Sequence, residues 1–133
     1  MASFEQQLRR IEEDTLRRQS QVVRKIILDA FTSVIYMSPV AEGRFRGNWQ
    51  SAVGEAPTGT VELVDPSGAI VIAQITGVVE QMDPGDVVYL VNNLEYARPL
   101  EEGHSQQAPE GMVALTVQRL RPAADAAIRA AAR

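Results

Sequence analysis

The sequence predicts an α+β domain: a small, mostly antiparallel sheet packed against a long N-terminal helix, a middle helix and a C-terminal helix. Three observations predict it. Apolar residues recur at helical spacing through residues 2–37 and again from Met112 onward. A β-branched run, VVYLVN at 87–92, lies between them. Turn chemistry such as DPGD at 83–86 separates the segments. The 133 residues, 45% of them apolar, fit one domain over 1–133, divided as 1–37, 38–111 and 112–133. A domain this small buries a modest share of its surface, so apolar area can find its partner on another subunit.

In chain order, residues 2–37 read as one helix. Phe4, Leu8, Ile11 and Thr15 start a stripe that Val22, Ile26, Ala30 and Val34 continue. Glu13 and Arg17 form an i,i+4 pair in the favoured orientation. A helix of about 35 residues spans roughly 50 Å, more than a compact domain of this size needs. Its second half, broadly apolar from Val22 to Met37, belongs in the core. Its first half, thinly striped and highly charged, either projects to a neighbour or is a plain solvated helix end. Pro39 ends the helix by disfavouring it at Ser38, and Gly43 and Gly47 mark a loop. Strands are expected at 48–53, with Trp49 on the buried face, and at 60–64, joined by the turn residues EAPTGT.

The stretch DPSGAIVIAQITGVVEQM reads as a helix with Asp65 as N-cap and Pro66 in the first turn. Ala69, Ile72, Ala73, Thr76 and Val79 would share its inner face. The β-branched run AIVIAQI makes a strand the competing reading. The run at 87–92 is the clearest strand. From Met112, the residues Val113, Val117, Leu120, Ala124, Ala127 and Ala131 form a helical stripe, which Pro122 should kink or break near Arg121. Arg129 and Arg133 suit the negative end of that helix.

Charge and composition narrow the function. The net charge is −4, and it is uneven: +1 over 1–37, −8 over 38–110 and +3 over 111–133. An acidic centre argues against a nucleic-acid binder. With no cysteine, disulfides, thiolate metal sites and a Cys nucleophile are excluded, and one histidine cannot build a multi-histidine metal site. No secretory signal or membrane span is visible, so a soluble protein assembled in the cytosol is expected. No cofactor is implied.

The stretch NNLEYARPLEEGHSQQAPEGM at 92–112 looks like an active site. Glu101, Glu102 and His104, with Glu95 nearby, would supply acid–base catalysis in a small hydrolase. Against this, adjacent Glu101 and Glu102 point about 100° apart on a helix. No nucleophile elbow and no phosphate-binding glycine loop accompanies them. The structural reading is a short helix over 94–102, with Tyr96 and Leu100 packed inward and Gly103 ending it. Ser105, Gln106 and Gln107 then form a polar loop able to bond a neighbour's backbone, and Pro109 and Gly111 launch the last helix. In GRFRGNWQ, Arg44 and Arg46 with Phe45 and Trp49 could bind nucleic acid by charge and stacking. Pairing of Arg44 and Arg46 with carboxylates such as Glu101 or Glu102, within or between chains, fits the acidic surroundings better. Trp49 is expected in the core.

Two motifs carry a resemblance. Ser38, Pro39, Val40, Gly43, Arg46 and Trp49 fill a Ser-Pro-Val-x-x-Gly-x-x-Arg-x-x-Trp pattern. Asn93, Tyr96, Ala97, Leu100, Glu101, Gly103, Ser105, Gln107, Ala108, Pro109 and Gly111 fill a second one. Together, at this separation and after a long first helix, they resemble the neck, or tail-completion, proteins of tailed bacteriophages. Ala41-Glu42 departs from the Asp-Thr common before the glycine, and Pro122 is an extra proline in the last helix. The resemblance implies a non-enzymatic virion protein: a hexameric ring at the head–tail junction, assembled in the host cytoplasm. Its neighbours would be head-completion or connector proteins and tail-tube or terminator proteins, with DNA passing through the lumen without specific binding. A tail terminator ring capping the tail tube is the alternative within the same class. An acidic, cysteine-free domain suits a lumen through which DNA slides, and rings need two different faces on one protomer. Arg44, Arg46, Glu101, His104, Ser105 and Gln107 are the residues expected at a subunit boundary. Pro39, Gly43, Trp49, Tyr96, Gly103, Pro109 and Gly111 are expected to shape the fold.

Overall fold

A computed structural model describes residues 3–131 except Pro109. The expected roles of Pro109 and Arg133 therefore lie outside the described residues. Helix α1 spans Phe4–Met37 and α2 spans Arg44–Gly47. Strand β1 (Trp49–Val53) precedes helix α3 (Ala69–Glu80) and strand β2 (Val88–Asn92). Two helices follow, α4 (Ala97–Glu101) and α5 (Val113–Ala131). The class is α+β: among the described residues, a two-stranded antiparallel sheet with a long, a middle and a C-terminal helix, in which α3 packs on β1 and α1 packs on α3 and α5.

Ser3 and Gln6 close a capping box at the start of α1, each side chain bonding the other's backbone N–H. Every residue from Phe4 to Gln19 is exposed, so this half stands clear of the body. Arg17 pairs with Asp14 rather than with Glu13, and Lys25 meets Asp29 at 3.0 Å. All four side chains are more than half exposed, so water competes strongly for both pairs. The second half of α1 turns Val34 and Ile35 into the core, with Ile27, Leu28 and Phe31 packed against it.

The register of the sheet pairs Trp49 with Asn92 and Val53 with Val88. The strand expected at 60–64 does not form. That segment has no regular structure, and contacts with the α2 region hold it in place of a ladder. Val61 N–H donates to Asn48 Oδ1 at 2.9 Å, and Asp65 N–H donates to the Gly43 carbonyl at 2.9 Å.

The stretch after Pro66 is helical, as its cap chemistry implied, but it begins three residues later than expected. Gly68 is the N-cap, in the left-handed region, and Pro66 sits in the turn that Gly68 N–H closes onto the Asp65 carbonyl. The Asp65 side chain, 3% exposed, still caps the helix, accepting from Val71 N–H at 2.9 Å. The buried row is Val71, Ile75 and Val79 with Ile72 packed beside it, so Ile72 and Val79 lie inside as expected while Ala69 and Ala73 are exposed.

Helix α5 packs antiparallel along α1, with the Thr116 and Ser33 hydroxyls 3.2 Å apart at one end of the seam. It runs through Pro122 instead of breaking there. Pro122 and Gln118, whose carbonyl loses its partner, are both exposed, so water replaces the missing bond.

Candidate functional site

The motif residues gather where α1 ends, α2 begins and α5 starts. At the exit from α1, the Ser38 hydroxyl donates to the Val34 carbonyl (2.7 Å) and accepts from the Trp49 indole N–H (2.8 Å). Trp49 is 6% exposed, and its ring meets Phe45 edge-on at 5.7 Å. Pro39 is buried. Gly43 is the N-cap of α2, and its carbonyl accepts from Gly47 and Asp65 N–H groups.

Among the described residues, Arg46 finds no carboxylate. Its guanidinium donates to the carbonyls of Pro66 (2.8 Å), Tyr36 (2.9 Å) and Ser38 (3.1 Å). Tyr36 lies in the last turn of α1 and Ser38 is its C-cap, while that turn holds no basic residue of its own. Arg46 therefore supplies, from another element, the positive charge that a helix C-terminus favours.

Glu101 does the converse. Its carboxylate accepts from the N–H groups of Met112 (2.9 Å), Val113 (2.7 Å) and Ala114 (2.9 Å), the unpaired donors at the start of α5. The residues ahead of α5, Glu110, Gly111 and Met112, offer no Ser, Thr, Asp or Asn as a local cap. Gly111 makes room for this arrangement. Its φ is +82°, and a Cβ there would sit 2.5 Å from the Glu101 carbonyl oxygen and under 3 Å from both carboxylate oxygens.

The two motif loops are also tied to each other. Gln107 Oε1 accepts from Val40 N–H at 2.9 Å, and Gln107 Nε2 donates to the Val40 carbonyl at 3.1 Å. The Ser105 hydroxyl accepts from Gln107 N–H at 3.1 Å and fixes the turn that presents this amide. Gly103, at φ +91°, ends α4: His104 N–H bonds the Pro99 carbonyl and Gly103 N–H bonds the Leu100 carbonyl, the two bonds of a Schellman ending.

Two placements differ from expectation. Tyr96 does not pack inward. It is 40% exposed with its ring 6.0 Å from Phe45, and Leu94, 7% exposed, takes the buried place because α4 starts only at Ala97. Arg44 and Arg46 do not share a role. Arg44 is exposed, and among the described residues its side chain meets no partner. Glu102, His104 and Gln106 are likewise exposed. Arg44, His104 and Gln106 rim a shallow groove floored by Pro39, Val40, Phe45 and Leu100. Among the described residues, no group of three or more His, Asp or Glu is placed to hold a metal ion. No helix among them is long and apolar enough to cross a membrane.

No protein-family model, curated protein or solved structure matches the chain. The resemblance stated above thus rests on the two motifs.

Proposed function

We propose that this chain is a structural subunit of the tailed-phage neck, closing into a ring at the head–tail junction through which DNA passes. The observation that carries the reading is the mutual bonding of the two motifs. Gln107 clasps Val40, Arg46 and Trp49 meet at Ser38, and Glu101 caps the helix that Gly111 introduces. Residues that hold one another in place belong to a shared scaffold rather than to a reaction centre. The acid–base alternative is weakened by the same bonds, since Glu101 faces three backbone donors, leaving Glu102 and His104 exposed beside it.

Of the residues expected at a subunit boundary, Arg44 and His104 are the two whose side chains are exposed and make no hydrogen bond among the described residues. They offer hydrogen-bond donors at a groove rim, in an otherwise acidic segment. A neighbour's carboxylate is the chemistry that fits them.

The test has two parts. Native mass measurement and particle images of the purified protein should show closed rings, and purified virions of the encoding phage should contain the chain at the neck. A strict monomer that is also absent from virions overturns the proposal. A position at the far end of the tail tube assigns it to the terminator ring instead.

A further inference from the structure

We infer that the outer edge of β2 takes up an extended segment of another protein, with apolar side chains at alternate positions and Lys or Arg at its ends. The inference stands on strand geometry and charge, and it holds whether or not the chain closes into a ring.

The two-stranded sheet leaves each strand with one unpaired edge. Gly54 N–H donates to the Val87 carbonyl at 2.8 Å, and in an antiparallel ladder the bonded pairs alternate. In the register Ala52–Tyr89 and Gln50–Val91, the backbone groups of Tyr89 and Val91 therefore point at β1. Those of Val88, Leu90 and Asn92 point the other way, and no group among the described residues bonds them. The edge of β1 is flanked by the chain itself, since Trp49 and Ser51 line a cavity with Val61, Leu63, Gln74 and Val78. Strand β2 also lacks the features that keep edges from pairing. VYLVN contains no charge and no proline, and its five pairs with β1 run without a bulge. Open backbone of this kind accepts an added strand.

Side chains and charge specify which strand. A segment laid on this edge sets one row of its side chains beside Val88 and Leu90, both half-buried. The other row lies beside Val91 and Tyr89, which is 37% exposed. Apolar and β-branched residues fit both rows. Residues 80–95 carry Glu80, Asp83, Asp86 and Glu95, all exposed, and no base. Arg24, which shares a cavity with Asp83 and Asp86, is committed to the Met82 carbonyl at 2.7 Å, and Arg98 follows Glu95 by three residues. The acidic excess is thus greatest at the turn over 83–86. A second copy is the wrong occupant. Antiparallel pairing of two β2 strands about Leu90 sets that turn of each against Glu95 of the other, like charge against like. A partner with basic flanks meets opposite charge at both ends.

Amide hydrogen exchange of the full chain, read residue by residue by NMR, tests this. In the free chain, Tyr89 and Val91 should be protected while Val88, Leu90 and Asn92 exchange fast. The peptide Arg-Val-Thr-Val-Thr-Val-Arg, added at millimolar concentration, should slow those three amides by about tenfold or more. Its Glu-flanked counterpart should slow them several-fold less. That difference should narrow in high salt and in Asp86→Asn, which keeps the acceptor for Asp83 N–H. Leu90→Pro removes one outward N–H without touching the β1 ladder, and it should abolish the protection at Val88 and Asn92. No added protection with either peptide overturns the inference, and so does equal protection with both. Protection of the three amides that grows with protein concentration alone would place a second copy on the edge and overturns it as well.

Discussion

Glu101 sets one carboxylate against three successive N–H groups, and Arg46 sets one guanidinium against the carbonyls that finish α1. Removing the first, in Glu101→Ala, should lower unfolding stability by about 1–2 kcal/mol, with a smaller loss in Glu101→Gln, which keeps an acceptor but not the charge. Urea unfolding with an unchanged m-value would measure it, and no loss in Glu101→Ala would mean that water caps α5 equally well. Arg46→Lys replaces a fork with a point charge and should cost at least about 1 kcal/mol, whereas Arg44→Lys should stay within about 0.5 kcal/mol. Equal effects in paired thermal melts would contradict the distinct roles assigned to the two arginines. Neither cap was legible as a contact, because both partners lie beyond the few residues over which capping patterns are read. The sign was a gap: α5 has no local N-cap residue and the last turn of α1 has no base. Gly103 and Trp49 were legible because a helix-ending glycine and a lone tryptophan in an apolar setting depend on local chemistry and burial.

Among the elements, the long helices were read from periodicity to within about two residues, as repeated apolar spacing over many turns leaves little choice. The short pieces were not. The 60–64 segment has strand composition, but Val61 N–H bonds the Asn48 side chain and the following Asp65 N–H bonds the Gly43 carbonyl, and sequence distance hides those partners. The inner row of α3 was legible only in part: Ile72 and Val79 face the core as expected, but Val71 and Ile75 are buried in place of Ala69 and Ala73, because a helix that is apolar almost all round offers little periodic contrast. Helix α5 shows the opposite error, with Pro122 tolerated on an exposed face. Pro122→Ala should therefore stabilise the protein, by up to about 3 kcal/mol, and leave helix content unchanged or slightly higher. Denaturation followed by circular dichroism checks this. A loss of stability would show that the proline meets a need that the fold does not reveal.

For the whole molecule, the exposed apolar rows on α1 and α5 are surface that an assembly would cover. If copies bind through these rows, the midpoint of thermal unfolding rises with protein concentration, since association favours the folded state by mass action. In Leu8→Glu, which places a charge in the α1 row without touching the core, the midpoint should become independent of concentration. A concentration-independent wild type would separate the arm from any role in stability. The arm also has a geometric consequence. The Ser38, Arg46 and Gln107 bonds pin α1 at one end, while Phe4 lies some 16 exposed residues, about 24 Å, beyond the body. A bend of about 10° where the arm leaves the body, well within the curvature of long helices, carries its tip about 4 Å sideways, nearly the reach of one side chain. A subunit with such a lever can meet neighbours at slightly different spacings while its own core stays unaltered.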